Sequence, residues 1–163
     1  MATTKSFQTH IDLPEEVRGE MIGLLNQQLA DTFDLFSQSK QAHWNVKGLQ
    51  FFQLHELYDK LAEELLGHVD TLAERATALG GAAAGTARMA ADATRLPEYP
   101  ITVGSQESIR ALVERFGNVA GSTRAAIDTA ADAGDQATAD VFTEIARALD
   151  KSLYFLESHL HEG

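Results

Sequence analysis

Phe51-Phe-Gln-Leu-His55-Glu-Leu-Tyr-Asp59-Lys-Leu-Ala-Glu-Glu-Leu-Leu-Gly-His-Val-Asp70-Thr-Leu-Ala-Glu74-Arg-Ala-Thr-Ala-Leu-Gly80-Gly81 keeps a helical beat along its whole length. Phe51, Leu54, Tyr58, Leu61, Ala62, Leu65, Val69 and Leu72 recur at helical spacing, which puts them on one broad side of an α-helix. Gly80 and Gly81 readily adopt the left-handed backbone that ends helices, so a helix is expected from about Phe51 to Leu79. At about 100° per residue, His55, Asp59, Asp70 and Glu74 project within an arc of roughly 100° beside that apolar side. His55 and Glu74 are equidistant from the point between residues 64 and 65, and so are Asp59 and Asp70. Two antiparallel copies of this helix crossing there would set His55 opposite Glu74 and Asp59 opposite Asp70. Within one helix, Asp59 and Asp70 stand about 16 Å apart, too far to share a coordination shell. The pattern therefore calls for a self-complementary pairing of identical chains.

Upstream, Pro14-Glu15-Glu16 reads as a helix start, since proline suits a first turn and acids there complement the backbone dipole. Ile22, Leu29, Phe36 and His43 then follow at seven-residue steps, with Leu25, Phe33 and Lys40 between them, until Val46-Lys47-Gly48 breaks the run. Downstream, the segment from Gly81 to Gly104 carries Pro97 and Pro100 and is too long for a tight turn between neighbouring helices. It is expected to be a crossover with a short helix from Ala87 to Arg95. Ser105 is the expected cap of a third long helix running to Asp132. The turn Ala133-Gly134-Asp135 leads to a fourth, with Phe142, Ile145, Leu149, Leu153, Leu156 and Leu160 on its apolar side. Two short links and one long one give an all-α, four-helix bundle with ferritin-like connectivity. Residues 1–12 form an N-terminal tail, and 13–163 a single domain.

The length of 163 residues suits one domain, and 44% hydrophobic with 23% charged residues suits a folded chain rather than a disordered one. With no cysteine, thiolate zinc sites, iron–sulfur clusters and disulfides are excluded, so any metal must be held by nitrogen and oxygen. The N-terminal residues Met1 to Asp12 contain no apolar run suited to a signal sequence, and no stretch approaches a membrane span, which makes the cytoplasm the expected location. A formal net charge of −11 repels nucleic acid and draws cations to any place where acids converge.

His43, near the end of the first helix, is placed to join His55 and Asp59 on the second, with Asp70 and Glu74 arriving from the partner. Imidazole with carboxylate suits first-row divalent metals, and iron is preferred here, with zinc or manganese also compatible. The plain alternative makes both histidines core-edge residues and the acids a solvated helix face. Taken singly, each residue fits that alternative; their shared order and symmetry about one point do not require it. The chain has no Glu-x-x-His pair, the helix motif of larger di-iron bundles, which argues against a site inside one bundle.

The stretches Lys40-Gln-Ala-His43-Trp44-Asn45, His55-Glu56-Leu57-Tyr58-Asp59 and His68-Val69-Asp70-Thr71-Leu72-Ala73-Glu74-Arg75 resemble the Dps family, the DNA-binding proteins from starved cells or mini-ferritins. The resemblance extends through Leu79-Gly80-Gly81 to Asp150-Lys151. It implies a hollow shell of twelve subunits, with ferroxidase centres at two-fold interfaces formed by His43, His55, Asp59, Asp70 and Glu74. It further implies that two ferrous ions reduce hydrogen peroxide there and that ferric mineral is stored inside, sparing DNA from oxidative damage. Zinc is the expected competing occupant.

Trp44 adjoins His43, and its position in the family suggests an electron-passing role beside the metal; packing at the interface explains it as well. Asp140 and Glu144, with Asp135 just before them, are candidates for an acidic iron entrance at a three-fold junction, mainly by resemblance. Glu63, Glu64 and His68 read as structural or supporting residues, and His159 and His161 lie outside the site. Before Arg18 the one always-charged basic residue is Lys5, so DNA binding is expected to be weak or absent, with at most a nucleoid association. A nucleoid-compacting protein whose metal site only holds dimers together, and a zinc-filled bundle without turnover, are the competing readings.

Overall fold

The computed structural model describes residues 5–161. Its first helix, α1 (Glu15–Asn45), begins directly after Pro14 with Glu15 and Glu16 in the opening turn, where carboxylates meet unpaired backbone N–H groups. It ends at Val46, whose extended backbone (φ −59°, ψ 137°) turns the chain into a short link. The second, α2 (Phe51–Ala78), closes at Gly80, where φ is +90°. The Gly81 N–H donates to the Ala76 carbonyl and the Gly80 N–H to that of Thr77, satisfying carbonyls the helix would leave unpaired. A short α3 (Ala87–Ala93) lies in the crossover, capped by the Thr86 side chain. The remaining long helices are α4 (Ser105–Asp132) and α5 (Gln136–Glu157), joined by a turn with Gly134 at φ +85°.

All described helices match the expected set, with two boundary corrections. Gly104, not Ser105, occupies the cap of α4; Ser105 is already helical, and its hydroxyl donates to the Lys47 carbonyl instead. The short helix stops at Ala93 rather than Arg95, because Thr94 is extended and Arg95 turns to bond Asp31. The structure is all-α among the described residues, apart from one parallel bridge between Lys47 and Gly104. That bridge sets the end of the crossover beside the α1–α2 link. The crossover has therefore travelled the length of the bundle, and α4 runs parallel to α2. The helices pair as α1 with α2 and α4 with α5, and α1–α4 and α2–α5 contacts close the bundle.

The core takes in Leu25, Leu54, Tyr58 and Phe142 from the apolar sides read in the sequence, and adds Met21, Leu35, Ile109 and Phe116; all are fully buried. Each such side chain contributes roughly 1.5–3 kcal/mol of burial free energy. A polar side of α1 anchors the crossover. The Asn26 amide donates to the Ala82 carbonyl, Gln27 to Ala93 and Gln38 to Pro97. Buried Asp31 accepts from the backbone N–H and guanidinium of Arg95, and Arg115 donates to Gln38 and to the Glu98 carbonyl.

Of the N-terminal tail, residues 1–4 lie outside the described residues, as do 162 and 163 at the other end. From Lys5 the tail runs along the closed end of α2. The Phe7 N–H donates to the Gly80 carbonyl at 2.7 Å, and Arg18 donates to the carbonyls of Leu13 and Leu79. No described helix is long and apolar enough to cross a membrane.

Candidate metal centre

His43 lies in the last turn of α1 and His55 in the second turn of α2, on the facing sides of the hairpin. Because the chain leaves α1 at Val46, the Lys47 N–H turns away to the Val103 carbonyl. The His43 carbonyl is thereby freed, and the Nδ1 of His55 lies 2.9 Å from it. Reciprocally, the Nδ1 of His43 lies 2.7 Å from the His55 carbonyl. A carbonyl can only accept, so each Nδ1 must carry the proton, and each neutral ring presents its Nε2 lone pair. Metal-binding histidines are held in just this tautomer by such bonds. The two rings stack 3.8 Å apart at 20°, which aligns them further.

Asp59 stands one turn after His55 on α2. Its Oδ1 lies 4.0 Å from the Nε2 of His43. Two ligands each about 2.1 Å from one ion stand about 3.0–4.2 Å apart, depending on the angle at the metal, so this separation fits a shared ion. The same oxygen accepts from the Lys40 ammonium at 2.5 Å. That bond and the nearby positive charge hold the Asp59 carboxyl below the usual carboxylate range. Lys40, three residues before His43 on α1, is read in the sequence as part of an apolar stripe and of a family-like stretch, with no role at the site. Its spacing from His43 could have placed it on the same face; its partner depends on how the two helices meet.

Asp70 and Glu74 lie farther along α2, exposed, and no group of three or more potential ligands converges within one chain among the described residues. His43 stands beside His55 on one hand and Asp59 on the other, whereas Asp70 and Glu74 are not brought to them by the chain itself. The same exposed side of α2 carries Phe52 and Leu66, which are 68% and 47% exposed, and Trp44 stands 62% exposed at the end of α1. Such large apolar side chains among ligand-type residues mark a surface suited to being covered. Lys40 also lies 5.7 Å from the centre of the Trp44 ring.

The residues considered for an acidic entrance divide. Asp140 and Glu144 are exposed on α5. Asp135 is not available in the same way: its carboxylate is 2% exposed, caps α5 by accepting from the Thr138 N–H, and pairs with Arg75 at 3.0 Å. Within the chain its carboxylate is committed to these two partners. His159 bonds the Phe155 carbonyl in the turn after α5.

The Ferritin-like domain family model matches residues 22–163. A DNA protection during starvation protein of Agrobacterium fabrum is 46% identical over 97% of this chain and 98% of its own length. Among solved structures, DpsC from Streptomyces coelicolor superposes with a TM-score of 0.92 at 32% identity, covering 98% of this chain and 94% of that one. Mycobacterium smegmatis Dps gives 0.92 at 30% identity, over 97% and 90%. The ligand-like order on α1 and α2, the single long crossover and these likenesses agree: the chain belongs to the Dps family of ferritin-like proteins.

Proposed function

We propose that this protein oxidises ferrous iron, preferentially with hydrogen peroxide, at centres shared between two subunits, and stores the ferric product inside a hollow dodecamer. The observation that carries this reading is the braced pair of His43 and His55. It aims two imidazole nitrogens beside Asp59 on one edge of a helix that bears Asp70 and Glu74 at mirror-related positions. A second copy crossing α2 near residues 64 and 65 brings those two carboxylates to the histidines. Iron is the substrate here. Two ferrous ions each give one electron to one peroxide, whose O–O bond breaks; with two water molecules the products are two ferric oxyhydroxide units and four protons. The residues of the chain hold the ions, offset their charge with carboxylates and orient both rings through Nδ1 so that Nε2 is the nitrogen that faces the metal.

Consuming iron and peroxide together removes the reactants of hydroxyl-radical chemistry, and this is how DNA is protected in our reading. Coating of DNA is disfavoured by the net charge of −11 and by a tail whose described part is bonded to the end of α2. We assign Asp140 and Glu144 to an iron entrance between assembled subunits and Trp44 to the cover of the centre. Zinc suits the same donors and is expected to compete with iron. A cytoplasmic location accords with this chemistry.

The test is ferrous oxidation with peroxide in the wild type and in Asp59→Ala and Glu74→Ala. Each variant should lose most of the initial rate, at least tenfold, with its helical content unchanged. Mixing the two under conditions that exchange subunits should restore part of the activity, since one of the two centres in a mixed dimer then draws on intact ligands. Full activity in either variant, or no recovery after proven exchange, overturns the shared centre.

A further inference from the structure

Lys40 is a charged group in contact with a proposed metal ligand that the oxidation chemistry above does not use. We infer that Lys40 is a tethered counter-cation of the centre: its ammonium occupies the Asp59 carboxylate until a metal ion arrives and is then displaced, so that metal entry is a cation exchange. The inference rests on the shared-centre reading. Three observations carry it. The Lys40 Nζ is 2.5 Å from the Asp59 oxygen that lies 4.0 Å from the Nε2 of His43, so ammonium and metal compete for one acceptor. The lysine side chain is 24% exposed, while that of Asp59 is 55% exposed, so the cation is delivered from the packed side of the hairpin toward an open carboxylate. The Trp44 ring, 5.7 Å from the ammonium, gives the lysine a second attractive surface and a place to rest when displaced.

Charge balance gives the arrangement its purpose. A completed centre gathers Asp59 with the partner's Asp70 and Glu74, three carboxylates beside two neutral imidazoles. Without metal these carboxylates repel one another across the interface, and Lys40 supplies a positive charge in direct contact with one of them, Asp59. It should therefore favour assembly of the metal-free protein while weakening metal binding. Exposed ion pairs shift equilibria by up to about fivefold, and enclosure at an interface strengthens the effect.

The experiment is a titration of the metal-free protein with Co2+, read by the visible absorption of the bound ion, together with the assembly state after chelation. Lys40→Met, which keeps an unbranched side chain without charge, should bind Co2+ roughly three- to tenfold more tightly than the wild type. It should also dissociate into smaller species at a higher protein concentration when stripped of metal, and Co2+ should reverse this. Lys40→Arg should stay within about twofold of the wild type in both measurements. Equal or weaker Co2+ binding by Lys40→Met, or unchanged metal-free assembly, overturns the inference. Asp59→Asn and Glu74→Gln serve as references: if they weaken Co2+ binding while Lys40→Met changes nothing, the role of Lys40 alone fails. If neither reference variant weakens it, the shared centre fails and the inference with it.

Discussion

The imidazole of His68 shows what befalls a histidine that no carbonyl receives. His43 and His55 each find a backbone acceptor, whereas the half-buried His68 leaves its Nε2 without a partner. Burial pushes its pKa below the ordinary value of 6.5, against the opposing pull of Glu64 and Glu144. The folded state thus resists a proton that the unfolded chain accepts, so stability is lost as pH falls from about 6.5 through the lower folded value. Thermal denaturation of the metal-free protein at pH 7 and at about pH 5 should show a smaller acid-induced loss in His68→Gln than in the wild type. An equal loss would remove His68 from the account. That His55, Asp59, Asp70 and Glu74 share one side of α2 was legible in the sequence, because the helical period dictates which side chains share a face. The histidine tautomers and the Lys40–Asp59 contact were not, since both depend on which carbonyls and charges the facing helix presents.

At the level of elements, the two glycines that end α2 and α4 make a matched comparison. Gly80 and Gly134 both have positive φ, +90° and +85°, and both close their helix with the same pair of backbone bonds. A side chain at Gly134 would meet open space, but a Cβ at Gly80 would lie 2.6 Å from the Phe7 carbonyl oxygen. Gly134→Ala should then cost about 1–2 kcal/mol for the left-handed backbone alone. Gly80→Ala should cost about 2–4 kcal/mol, because the tail must also be displaced. Equilibrium denaturation of the two variants checks the order, and equal losses would show that the tail yields freely. Helix ends marked by glycine were readable in advance for this reason: few other residues tolerate that backbone. The path of the crossover was not, since Asn26, Gln27, Asp31 and Gln38 act by meeting particular carbonyls and N–H groups, which the helical period does not name. The same holds for the cap of α4, where the link before α2 claims the Ser105 hydroxyl.

On the scale of the whole molecule, the decisive surface is the outer side of α2. Leu66 lies next to the point about which the ligand positions are symmetric, and it is 47% exposed. In the pairing we propose, it comes close to its own copy. Leu66→Glu should therefore place like charges together in a closing apolar contact and shift the protein toward free protomers, measured by light scattering across concentrations. Those protomers should retain their helical content, since Leu66 is not part of the buried core, and should bind Co2+ more weakly than the assembled wild type. An unchanged assembly would mean that α2 does not form the interface. The mutual bracing of His43 and His55 reaches further, into how such a chain can change over generations. Each ring leans on the backbone carbonyl at the other position, so exchange of either imidazole removes the stacked ring but leaves its neighbour's hydrogen bond in place. A line of descent can therefore lose one imidazole and still keep the other aimed.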